Sequence, residues 1–141
     1  MTLEKKIKDK KVNFEFNKEY IKVVTEKISN NDAVFITNSF KEMHPSDAAD
    51  IIEHLSDTDR ESLIKLNNFK LDPQVFVELN ESIQSEIIKY LSNDTIVDIL
   101  KNLESDDAIK ILENLEEKNK NDILGSLPPK DRFVLLESLS Y

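Results

Sequence analysis

From residue 43 to residue 139, large apolar residues return every twelve positions. The series reads Met43, Leu55, Asn67, Leu79, Leu91, Leu103, Leu115, Leu127 and Leu139, with Asn67 its one polar member. The places three and four before each anchor are apolar too: Ile51-Ile52, Leu63-Ile64, Val75-Phe76, Ile87-Ile88, Ile99-Leu100, Ile111-Leu112, Ile123-Leu124 and Leu135-Leu136. Leu63 and Ile64 keep phase where Asn67 does not, and Leu66 is expected to take the anchor role there. The segment ending at Met43 matches in part, with Phe40 in place but Ser39 beside it.

Spacings of three and four put these residues on one face of a helix. An unbroken helix turns by roughly 100° per residue, so twelve residues overshoot a whole number of turns by about 120°. The stripe would then rotate away from any single core. The helix must therefore break once per repeat, and the break is written in capping chemistry. Ser56-Asp57-Thr58-Asp59, Asn80-Glu81-Ser82, Ser92-Asn93-Asp94, Glu104-Ser105-Asp106-Asp107 and Pro128-Pro129-Lys130-Asp131 follow successive anchors. Ser and Asn are favoured caps, and acids in a first turn complement the helix dipole. His44-Pro45 and Asp72-Pro73 place proline where a first turn tolerates it. Each unit is read as a helix of about eight or nine residues and a short turn. Helices so short are marginal alone, so stacking on neighbours must supply the core. No long segment alternates in the manner of a strand, and the fold class is all-α. Periodicity does not fix the hand of the coil.

Before the repeat, Tyr20, Ile21, Val23, Val24 and Ile28 predict one further amphipathic helix from about Asn17, closed by Asn30-Asn31. Residues 1–16 are expected to be a basic leader, disordered or loosely attached, opening with Lys5, Lys6, Lys8, Lys10 and Lys11. Residues 17–141 are expected to form the helical domain.

Composition narrows the function. The 141 residues carry a net charge of −9, divided into +3 over residues 1–30 and −12 beyond. Such acidity argues against nucleic acid as a partner, since phosphate contact needs a basic footprint. One glycine, Gly125, excludes the glycine-rich phosphate loops. Without cysteine there is no disulfide, zinc–thiolate or thiol nucleophile. The longest apolar runs, Ala33 to Ile36 and Phe133 to Leu136, are far shorter than the ~20 residues of a membrane-spanning helix. His44 and His54 are ten residues apart, which is not the spacing that puts two imidazoles on one metal. No catalytic constellation emerges, and the chain is read as a non-enzyme. The acids form clusters, among them Asp94/Asp98, Glu104/Asp106/Asp107 and Glu113/Glu116/Glu117. A solvated first turn explains each of them. Half of a weak Mg²⁺ site, completed by another domain, is the sharper reading, because Mg²⁺ takes one or two carboxylates and keeps several waters.

The stretch His44-Pro45-Ser46-Asp47-Ala48-Ala49-Asp50-Ile51-Ile52-Glu53-His54-Leu55 resembles the opening of the cytoplasmic N domain of MgtE-type magnesium channels. Asp106-Asp107-Ala108-Ile109-Lys110-Ile111-Leu112 is similar to that family's later acidic units, and Leu127-Pro128-Pro129-Lys130-Asp131-Arg132 to its turns. The resemblance runs from about Asn31 to Tyr141. It implies a right-handed superhelix of about ten short helices with a 12-residue repeat, on the cytoplasmic face of the cell membrane. It also implies a fragment of a longer, homodimeric membrane protein, cut at about Tyr141, in which CBS domains and a membrane channel follow. Regulatory Mg²⁺ would bridge the N domain and the CBS domains and hold the pore closed, being bound weakly by the isolated domain. Position by position, Asp106 matches an acid that contacts Mg²⁺, with Asp107 as its neighbour. Lys110 and Gln74 stand where the family has acids, which transfers weight to Asp94, Asp98 or Glu104. The alternative is a helical-repeat scaffold of the flagellar rotor switch type, whose acids serve solubility and docking.

Overall fold

A computed structural model describes residues 14–67 and 70–139 of the chain. The described residues form ten α-helices and no strand. They are α1 (Phe14–Ser29), α2 (Ala33–Lys41), α3 (Pro45–His54), α4 (Asp57–Asn67), α5 (Pro73–Glu78), α6 (Glu81–Ile88), α7 (Asn93–Lys101), α8 (Ser105–Glu113), α9 (Glu117–Ser126) and α10 (Pro129–Leu139). The first helix starts at Phe14, so residues 14–16 belong to it rather than to the leader. Residues 1–13 of the expected leader lie outside the described residues.

The twelve-residue period has a concrete cause. At each described anchor but Asn67 and Leu139, the backbone N–H bonds to the carbonyl three residues back, at the second member of the apolar pair. These bonds are Met43 to Phe40, Leu55 to Ile52, Leu79 to Phe76, Leu91 to Ile88, Leu103 to Leu100, Leu115 to Leu112 and Leu127 to Leu124, all between 3.1 and 3.3 Å. The tightened last turn satisfies a carbonyl that a helix end would otherwise leave unpaired. The chain then exits in extended backbone, with ψ of 156° at Leu55, 148° at Leu79 and 150° at Leu127. Any L-residue adopts that conformation, so these turns need no glycine.

One junction differs. Asn31 has φ of 56°, and Asp32 N–H reaches the Lys27 carbonyl at 2.9 Å while Asn31 N–H reaches that of Ile28 at 3.0 Å. This is a Schellman closure with asparagine in the left-handed position. Asp32 then caps α2 by accepting from Phe35 N–H at 3.1 Å. Ser92 caps α7 through Thr95 N–H at 3.2 Å, and Asp72 caps α5 through Gln74 N–H at 2.9 Å.

The chain divides into two compact units, residues 1–80 and 81–141. In the first, α3 packs on α5 and α2 on α4, while α1 lies against α2, α3 and α4. In the second, α7 packs on α9 and α8 on α10. Contact between a helix and the next but one is how a coil of short helices closes its core. The pairs at Ile51-Ile52, Leu63-Ile64, Val75-Phe76, Ile87-Ile88, Ile99-Leu100, Ile111-Leu112 and Ile123-Leu124 are all buried. Ser39 and Phe40, the imperfect pair before Met43, are buried as well, so that unit keeps its place in the repeat. Leu66 is half-buried within α4, whereas Leu71, beyond Asn67, is buried.

The chain has two arginines, Arg60 and Arg132, at the same place in the repeat, five residues after anchors Leu55 and Leu127. Each folds back onto its anchor. Arg60 Nη1 lies 2.7 Å from the Leu55 carbonyl, 3.2 Å from that of Ile52 and 3.3 Å from that of Glu53. Arg132 Nη2 donates to the Leu127 carbonyl at 3.1 Å. A cation at a helix C-terminus satisfies unpaired carbonyls and complements the dipole. Glu53 also accepts from Asn80 N–H at 2.7 Å, tying the end of α3 to the turn that follows α5.

Gly125 sits inside α9 without positive φ, and a Cβ built there meets nothing within 4 Å. Glycine in a helix costs about 0.5–1 kcal/mol relative to alanine. Gly125→Ala is therefore expected to raise the melting temperature by a few degrees in a thermal scan. An unchanged or lower value would contradict the open surroundings described.

Candidate acidic surface

The acids named by the sequence lie on one compact unit. Residues 81–141 contain thirteen Asp+Glu and seven Lys+Arg, a net charge of −6. Asp94 opens α7 behind its Ser92 cap, and Asp98 follows one turn later; both are exposed. Glu104 occupies the N-cap of α8 in extended backbone, and its side chain makes no capping hydrogen bond. Asp106 and Asp107 stand in the first turn of α8, the former exposed and the latter half-buried. Helix starts put them there, because acids are favoured at the positive end of the dipole. The same dipole partly compensates their charge, which lowers the affinity any cation would find at that turn.

Among the described residues, no three His, Asp or Glu side chains converge closely enough to hold one ion. The five predicted acids are thus spread over two helix starts and one turn. Hard carboxylate oxygens suit Mg²⁺ in kind, and Mg²⁺ accepts one or two of them with waters completing its octahedron. The donor set fits a partial shell rather than a closed cage. Lys110 is exposed one turn after Asp106, and Gln74 is half-buried in α5.

The histidines are placed by backbone needs. His44 is the N-cap residue of α3 by position, but its side chain makes no capping bond. His54 Nδ1 lies 2.7 Å from the Asp50 carbonyl on the exposed side of α3.

Sequence reasoning missed one feature of this unit. A hollow of about 120 Å³ opens between the end of α7, the start of α8 and the start of α10. Leu100, Leu127 and Leu135 form apolar wall, while Lys101 and Lys130 border it. Asp131 lines it as well, but its single carboxylate stands between two ammonium groups, so the acids on the helix starts, not this recess, are the candidate cation surface.

Comparisons with known proteins follow the same outline. The model of the family described as the MgtE intracellular N domain matches residues 43–141. Comparison with curated protein sequences finds no match. The crystal structure of the soluble part of a magnesium transporter superposes with a TM-score of 0.72 at 19% sequence identity. The alignment covers 89% of this chain and 50% of that one, so the chain spans about half the length of that structure. Among the described residues, no helix is long and apolar enough to cross a membrane.

Proposed function

The chain belongs to the MgtE intracellular N domain family, and from that premise we propose that it is a regulatory domain of a magnesium transporter which senses Mg²⁺ through acids shared with a neighbouring domain. The observation that carries this reading is the family match over residues 43–141, together with exposed carboxylates at the start of α8. The neighbouring domain is taken to be a CBS domain of the same chain or its dimer mate, acting at the cytoplasmic side of the membrane. Catalysis has no part in the proposal.

Asp106 is the first ligand and Asp107 the second, with Asp94, Asp98 and Glu104 contributing field or further contacts. When Mg²⁺ is scarce, facing carboxylates repel each other. Unit charges about 4 Å apart interact by ~1 kcal/mol in water and more where water is thinned between surfaces. Several such pairs suffice to separate two domains held by a modest interface. When Mg²⁺ is abundant, it neutralises the repulsion and bridges the carboxylates, and the compact arrangement keeps the pore closed. Each domain supplies an incomplete shell, so affinity for the isolated chain is low.

Limited proteolysis of this domain joined to its downstream region is the test. Millimolar Mg²⁺ should slow cleavage, and Asp106→Asn with Asp107→Asn should raise the Mg²⁺ needed for half-protection about tenfold, equivalent to about 1.4 kcal/mol. Equal cleavage in Mg²⁺ and in monovalent salt of matched ionic strength would overturn the reading in favour of a docking scaffold.

A further inference from the structure

The hollow beside α10 joins an apolar floor to a rim that carries both signs of charge. Leu100, Ala108, Leu127 and Leu135 are buried residues that line it. Lys101, Ser105, Lys130 and Asp131 line it too. The two lysines and Ser105 are exposed, and Asp131 is half-buried. All eight belong to the compact unit of residues 81–141. Ion pairs form elsewhere, as at Lys65–Glu61 and Lys120–Glu117. Among the described residues, Lys101, Lys130 and Asp131 take part in none.

Each feature restricts the occupant. Two ammonium groups call for an anion and repel a metal ion. Asp131 opposes a plain anion and calls for a cation beside it. The leucine floor calls for hydrocarbon, since a charge pressed against apolar walls without a partner is costly. One small molecule meets all three demands: an α-amino acid, with opposite charges on a single carbon and a side chain below them. Lys130 and Asp131, successive residues on one helix start, offer the matching pair of opposite charges. Size then selects among amino acids. The hollow holds about 120 Å³. At roughly 30 Å³ for each water-sized atom, that is room for about four heavy atoms. The side chains of leucine and isoleucine have that many, glycine has none, and the phenylalanine ring is too large.

We propose that this hollow is a binding site for an aliphatic α-amino acid of leucine size. Its side chain rests on Leu100, Leu127 and Leu135, its carboxylate meets Lys101 and Lys130, and its ammonium group meets Asp131. The inference uses none of the acids assigned to Mg²⁺ and stands apart from that reading. Small sites owe their selectivity to a few polar groups placed around an apolar floor, and this one has that make-up. Exposed charges pair weakly in water, so binding is reversible and falls in the millimolar range.

Titration of the whole chain with L-leucine in Mg²⁺-free buffer, followed by amide NMR spectra, tests the proposal. Saturable shifts should appear at Lys101, Ser105 and Lys130 to Val134. Isocaproate, which is leucine without its amine, and isoamylamine, which lacks the carboxylate, should each bind roughly tenfold more weakly. Glycine and phenylalanine should also bind more weakly than leucine. Asp131→Asn should bring leucine down to the affinity of isocaproate and leave isocaproate itself unweakened. The double variant Lys101→Gln/Lys130→Gln should lose leucine binding. These three residues lie at the surface or half-buried, and the dispersion of the same spectra shows that each variant stays folded. Absence of saturable shifts up to the solubility of leucine overturns the proposal, as do shifts confined to residues away from the hollow. Isocaproate binding as tightly as leucine, or leucine binding indifferent to Asp131→Asn, overturns the assignment to an amino acid.

Discussion

Leu112→Ala is expected to destabilise the protein by about 3 kcal/mol, while Leu136→Ala, at the same place two repeats later, should cost well under ~1 kcal/mol. The two residues are chemically identical and share a register in α8 and α10. Leu112 is 0% exposed and Leu136 is 44% exposed. Truncating a fully buried leucine loses transfer free energy and leaves a cavity that the close-packed surroundings only partly fill. Truncating a leucine open to water loses little of either. In thermal unfolding the first change should lower the melting temperature by on the order of 10 °C and the second by a few degrees at most. Comparable losses would mean that the face of α10 is covered in the free chain.

Arg60→Ala should be nearly as damaging, at about 2–3 kcal/mol in urea denaturation. The guanidinium is 7% exposed and reaches three carbonyls at the end of α3. Removing it leaves those acceptors in a place that water enters poorly. Arg60→Met keeps the apolar stem, and so separates lost packing from lost hydrogen bonds. Arg60→Lys should restore less than half of the loss, because a single ammonium cannot reproduce the planar fork. Arg132→Ala, half-buried with one carbonyl bond to Leu127, should cost about 1 kcal/mol. If Arg60→Ala and Arg132→Ala proved equally mild, the carbonyl bonds would not be what holds these two turns.

Much of the fold was legible because one physical event recurs in phase. Seven of the ten described helices end where an anchor N–H bonds three residues back, and the anchor is itself a residue that the core needs. Burial and chain reversal therefore carry the same twelve-residue signal. The signal failed at Asn67, where Leu66 is only half-buried and Leu71 supplies the buried residue. The start of α1 at Phe14 was missed because lysine and glutamate neighbours mask a period of so few turns. The arginines were visible as the chain's two copies of one residue at equivalent positions, yet nothing in a linear pattern says that a guanidinium turns back onto its own anchor. The candidate site was legible only as composition. Asp106 and Asp107 could be placed in a first turn, since helix starts select acids. Whether a carboxylate in such a turn does more than solvate it depends on a surface supplied by another domain. Lys101 and Lys130 border one hollow because α7 ends where α10 begins, an adjacency that belongs to packing rather than to period.

The packing of α1 has a consequence for synthesis. This helix lies against α2, α3 and α4, so its buried Tyr20, Val24 and Ile28 find their last partner only when Asp57–Asn67 has left the ribosome. In residues 81–141, by contrast, the main packing is of α7 on α9 and of α8 on α10, each helix on the next but one. Contacts so close in sequence make for rapid formation once the segments are free. The N-terminal helix is therefore the part of the nascent chain that keeps apolar surface uncovered longest, and the part on which a chaperone meeting the growing polypeptide has most to hold.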